Sequence, residues 1–163
     1  RPREEWDSLD ATVIEWTLDS PRRNDVLREL TELRAAVEPI AARLAAERAD
    51  DAQREHLLAH ATRLNELGAQ GLGDSEEYLE ADIAYHSLLL RAGGNPLFGK
   101  LSEPIAEILR GRAVRGLTPS LPRVGTLEAH VATAQAIVER DGAGAEASAR
   151  EHLTLVSGEV AHL

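Results

Sequence analysis

A chain of 163 residues without cysteine is about one domain long, large enough for a hydrophobic core and unable to use disulfides or thiolate metal ligands. Its formal net charge of −10 repels phosphate backbones, which excludes unaided nucleic-acid binding by these residues. Ala, Leu, Glu and Arg dominate and aromatics are scarce, a composition that favours helices throughout.

There is no apolar run near 18 residues and no signal-like start, so a soluble, cytoplasmic protein is expected. The chain begins at Arg1 without a methionine, as a truncated or processed piece would. Residues 1–20 read as an arm with one short helix. Asp10 can cap it, Val13, Ile14, Trp16 and Leu18 give it apolar contacts, and Ser20-Pro21 stops it. Helical periodicity then runs from about Asn24 to Arg48, with Leu27, Leu30, Leu33, Val37, Ile40 and Leu44 at three- and four-residue steps. Pro39 falls inside it and should kink it. Arg34 and Glu38, four apart, read either as an ion pair on the helix surface or as an arginine turned inward to meet an anion.

Asp50-Asp51 can cap a helix reaching about Leu67, buried on Leu57, Leu58 and Leu64. His56 and His60 on it are also four apart, but with polar neighbours and no third ligand they read as a solvated face. Gly68 to Gly73 is a glycine-rich loop that follows no strand and so is no phosphate-binding loop. A helix from about Ser75 to Arg91 ends at Gly93-Gly94. Asn95-Pro96, N-cap and first position, opens another to about Arg112, with a bend expected at Pro104. Residues 115–124 form the longest loop. A helix from about Val124 to Arg140, a tight turn at Asp141-Gly142-Ala143-Gly144 and a helix from about Ala145 complete the chain. No strand-period pattern occurs. The fold class is all-α: an antiparallel bundle of about six main helices after a short N-terminal one.

Asp82 and His86 stand one turn apart, where they can reach a common point off one helix face. Alone they read first as a hydrogen-bonded pair on a polar face and only second as half of a metal site. His130 and His152 each lie eleven residues from Asp141, at the centre of the turn between the last two helices. Equidistance in an antiparallel hairpin sets them level, roughly 16 Å from its tip at 1.5 Å per residue. Alanines around both leave room for a cavity. One carboxylate and three imidazoles suit a divalent transition ion and leave positions open for water or ligand.

Asp82-x3-His86, then His130, then His152 within Arg150-Glu151-His152-Leu153, resembles the FCD domain, the C-terminal effector-binding domain of the FadR subgroup of GntR-type bacterial transcription regulators. Leu30-Thr31-Glu32-Leu33-Arg34, Val37-Glu38-Pro39, Ala41 to Arg48 and Gly94-Asn95-Pro96-Leu97 are also similar to that family, across about residues 24–157. The resemblance implies that Asp82, His86, His130 and His152 hold a divalent ion, most commonly zinc, with nickel, manganese or iron as fitting substitutes. It implies that Arg34 meets an acidic effector. Residues 1–20, with Trp6, Leu9-Asp10, Val13-Ile14 and Trp16, are similar to the linker of members that answer to sugar acids. Residues 21–163 would then be the metal- and effector-binding bundle of a homodimer, and operator DNA would be held by a winged helix-turn-helix domain outside this chain. The alternative is a metal-dependent hydrolase on a helical bundle. It lacks a His-Glu-x-x-His frame, and Glu151, beside His152, should face away from the site. A di-iron carboxylate bundle fails because Ile83, Leu127 and Ala149, three before each histidine, are not acidic.

Overall fold

The computed structural model describes residues 7–160 and shows helices only. Trp6, one of the residues carrying the likeness to a linker, lies outside the described residues. The elements in order are α1 (Ala11–Leu18), α2 (Arg23–Arg48), α3 (Asp51–Ala69), α4 (Glu76–Ala92), the single turn α5 (Pro96–Gly99), α6 (Ser102–Val114), α7 (Thr126–Val138) and α8 (Gly142–Val160).

Side-chain caps fix most starts. The Asp10 carboxylate accepts from the amides of Thr12 and Val13, and Asp50 forms a reciprocal capping box with Gln53. Ser75 and Asn95 cap α4 and α5. α7 closes on Arg140, whose φ of 62° lets the Asp141 amide reach back to the Ala136 carbonyl. Asp141 then takes the Gly144 amide, so α8 starts at Gly142, earlier than the glycines suggest. The buried guanidinium of Arg54, on α3, donates to the Ile137 carbonyl at the C-terminal end of α7.

Two prolines behave differently from expectation. α2 runs unbroken through Pro39. Pro104 bends nothing: the helix expected from Asn95 to Arg112 is two pieces, α5 and α6, and Pro104 is the third residue of the second. A proline lacks the amide that a helix interior requires but is tolerated in the first turn, so the helix restarts just ahead of it.

α8 packs along α2 and α7, α3 closes the far side against α4 and α7, and α6 covers α4. The main core is made of small residues: Ala42, Ala45, Ala46, Ala61, Ala134, Ala145 and Ala149, with Leu57, Leu64, Leu89 and Ile137. These alanines bring the helix axes close and shift the inward stripe of α2. Leu27, Leu30, Thr31, Arg34, Glu38, Ala41, Ala42 and Ala45 face inward, whereas Leu33, Val37, Ile40 and Leu44, expected to lead it, are only half-buried flanks. A smaller cluster of Ile14, Leu18, Val26, Leu27, Leu30 and Ile108 seats α1.

Candidate metal centre

Four helices aim polar side chains at one point in this apolar interior. α4 supplies Asp82 and His86, α7 His130, α8 His152, and α2 Arg34 and Glu38. His86, His130, His152, Arg34 and Glu38 are each at most 5% exposed. One nitrogen from each of the three histidines lies within 4.8 Å of the other two. The rings of His130 and His152 are 4.0 Å apart between centroids, so the hairpin does set these two level. The Nε2 atoms of His86 and His130 are 3.4 Å apart, and Asp82 Oδ1 lies 3.3 Å from the first and 3.7 Å from the second.

Each imidazole is oriented from behind. His130 Nδ1 donates to the Thr126 carbonyl at 3.0 Å, which leaves the Nε2 lone pair facing the cluster. His86 Nδ1 lies 2.9 Å from Glu38 Oε2, which turns its Nε2 inward in the same way. Tyr85 sets its ring edgewise against His86 and His130, with centroids 5.1 and 5.0 Å away. His152 differs: among the described residues neither its Nδ1 nor its Nε2 has a hydrogen-bond partner.

Arg34 and Glu38 are not a surface pair. Arg34 Nε donates to Glu38 Oε1 at 2.6 Å, both side chains are buried, and Arg34 Nη2 comes within 3.2 Å of His86 Nε2. One carboxylate therefore holds the arginine with one oxygen and the histidine with the other.

The charges follow this geometry. Burial alone would raise the Glu38 carboxyl, but Arg34 and His86 outweigh it and hold it down at about 2. Asp82 is likewise lowered: burial opposes it, and the hydrogen bond to His86 together with the charges of His86, His130 and Arg34 prevails. Burial opposes charge on His86, yet Glu38 and Asp82 raise its pKa. His130 is pushed down to about 4 by burial and by His86, and His152 falls well below the usual value by burial and by its two histidine neighbours. His130 and His152 thus present neutral imidazoles beside the ionised Asp82, the protonation states that metal ligation requires, and a bound ion would displace the proton that Glu38 and Asp82 favour on His86. Nitrogens held 2.0–2.1 Å from a tetrahedral ion stand roughly 3.4 Å apart, close to the observed Nε2–Nε2 separation. The unpaired buried nitrogens of His152 fit the same group.

A narrow cavity of about 40 Å³ opens onto the cluster, walled by Arg34, Asp82, Arg112, Thr126 and the loop residues Thr118, Pro119 and Pro122. Residues 115–125 form its cover. The Gly73 amide donates to the Ser120 carbonyl at 2.8 Å and pins the cover to the loop between α3 and α4. His56 is exposed and His60 half-buried on α3, and neither lines this cavity. Glu151 is exposed, on the outer face of α8.

Glu38, Tyr85, Arg112 and Thr126 were not singled out as site residues from sequence. For Glu38 a signal existed: the three- and four-residue steps Leu30, Arg34, Glu38, Ala41, Ala45 run through both charges. Thr126 lies one turn before His130 and carried no pattern of its own.

Residues 29–155 match the family model of the FCD domain. The chain belongs to the FCD family. Aligned over 99% of this chain, the galactonate operon transcriptional repressor of Escherichia coli (strain K12) is 34% identical, with 68% of its length covered. The HTH-type transcriptional repressor NanR of Cronobacter sakazakii is 29% identical over 77% of this chain, which spans about half of NanR, 47%. The fold is shared with a Streptococcus agalactiae GntR structure at a TM-score of 0.69 and 24% identity, covering 85% of this chain and 61% of that one. The FCD domain is that of a GntR-family transcription regulator and not an enzyme, which removes the hydrolase alternative.

Proposed function

We propose that this FCD domain senses a small carboxylic acid through a divalent metal ion and so controls DNA binding by an N-terminal domain outside the chain. Asp82, His86, His130 and His152 would hold the ion, zinc first, with nickel, manganese and iron compatible with the same donors. The observation that carries this reading is His152, buried with both ring nitrogens unpaired beside two imidazoles whose Nε2 atoms already converge. A bound ion offers open positions to a carboxylate and an adjacent hydroxyl. Arg34 supplies the second positive centre. Glu38 fixes its Nε, and the remaining guanidinium nitrogens can pair with the acid.

In a chain of net charge −10, such local cations are what draws an anion in. The galactonate operon named in the first relative supports a sugar acid as the class. The 40 Å³ cavity is smaller than such a ligand, so the cover of residues 115–125 moves as the acid enters. That cover is the movable element through which binding is signalled. The regulator acts in the cytoplasm as a homodimer, whose two-fold symmetry matches two half-sites of an operator.

The test is isothermal titration of a panel of small carboxylic acids into metal-loaded and metal-stripped protein. Sugar acids bind the loaded form and not the stripped one; equal binding to both removes the ion from the account.

A further inference from the structure

Thr126 is 6% exposed, lines the cavity beside His130 and His152, and among the described residues its hydroxyl has no hydrogen-bond partner. The other buried helical threonines keep theirs satisfied. Thr17, Thr31 and Thr133 donate to the carbonyl four residues back, at 2.7, 2.7 and 2.8 Å. Thr126 is the first residue of α7 and follows Gly125, so no helical carbonyl lies behind it. Nor does it cap the helix, since Gly125 holds that position and the Glu128 carboxylate accepts its amide at 3.1 Å. The Thr126 backbone is already committed: its amide donates to Arg123 and its carbonyl accepts from His130 Nδ1.

A hydroxyl buried without a partner costs folding free energy, and valine would fill the same volume without that cost. We infer that the Thr126 hydroxyl reads a hydroxyl group of the effector, so that the domain selects polyhydroxy acids over short hydroxy acids. The inference rests on the metal-and-acid reading above. The His130 ring stands between Thr126 and the cluster, its Nδ1 3.0 Å from the Thr126 carbonyl and its Nε2 on the far side, so an ion held at Nε2 would lie roughly 6 Å from Thr126. A chain anchored by its carboxylate at the metal spans that distance with about four or five carbon–carbon bonds of roughly 1.5 Å. An aldonic acid of five or six carbons reaches Thr126; glycolate does not.

The experiment is calorimetric titration of zinc-loaded wild type, Thr126→Val and Thr126→Ser with gluconate, galactonate and glycolate, together with melting curves of the metal-free proteins. Thr126→Val is expected to bind at least one of the two aldonates about tenfold or more weaker and glycolate unchanged, with Thr126→Ser within about threefold of wild type. Metal-free Thr126→Val is expected to melt no lower than wild type. Unchanged aldonate affinity in Thr126→Val, an equal loss for aldonate and glycolate, or a lower melting point overturns the role of Thr126 alone. If zinc-loaded wild type binds none of the three acids, the acid-sensing reading fails first and takes this one with it.

Discussion

Glu38 sets its Oε2 2.9 Å from Nδ1 of His86 while its Oε1 takes the Nε of Arg34 at 2.6 Å, so a single buried carboxylate orients a metal-ligand candidate and the candidate effector arginine together. Carboxylates behind ligating histidines fix the tautomer, and their loss costs roughly 10- to 100-fold in metal affinity. Glu38→Gln is expected to weaken metal binding within that range, read by competition with a chelator. Unchanged affinity would show that His86 is oriented by its other neighbours.

Arg34 answers differently to two substitutions. Arg34→Ala leaves Glu38 buried without its main counter-charge, and breaking such a pair costs about 3–5 kcal/mol of stability, read as a fall in the urea midpoint. Arg34→Lys keeps a charge near Glu38 and loses the fork. It is expected to fold, to retain metal and to bind acid about tenfold or more weaker. Acid affinity equal to wild type in Arg34→Lys would place the carboxylate elsewhere.

The bundle, the capped helix starts and the level pairing of His130 with His152 were legible in sequence, because each follows from short-range chemistry or from counting along a hairpin. The inward stripe of α2 was not. Large aliphatics attract the eye, but alanines permit the closest helix approach, so Ala41, Ala42 and Ala45 decide the inward face and carry Arg34 and Glu38 with them. The cover over the site was legible only as a long loop. Its attachment depends on a contact between the Gly73 amide and the Ser120 carbonyl, 47 residues apart, which no local pattern announces.

That contact makes the cover testable. A Cβ at Gly73 would stand 2.5 Å from the Pro119 carbonyl oxygen and 2.8 Å from that of Ser120, both rigid backbone atoms. Gly73→Ala is expected to displace the cover and speed metal exchange with a chelator severalfold, with little change in helix content by circular dichroism. An unchanged exchange rate would mean that the cover does not limit access.

Acid should destabilise the metal-free protein in two stages. The His130 pKa is depressed from 6.5 to about 4, so the unfolded chain binds its proton first, and the stability present above pH 6.5 declines as pH falls toward 4. Glu38 is depressed from 4.5 to about 2, and its contribution, present above pH 4.5, declines toward 2. His86 is raised and has the opposite sign: its contribution is full below 6.5 and is lost as pH rises through its folded value. Urea midpoints against pH are expected to show the upper acid stage diminished in His130→Phe and the lower stage retained.

The most direct test of the metal centre is elemental analysis of the purified protein beside His152→Ala and the His130→Ala/His152→Ala double variant. The account predicts about one divalent ion per chain in the wild type, a clear loss in the single variant and none in the double, with heat stability falling in step because a bound ion favours the folded state. A double variant that retains the wild-type metal content would contradict it.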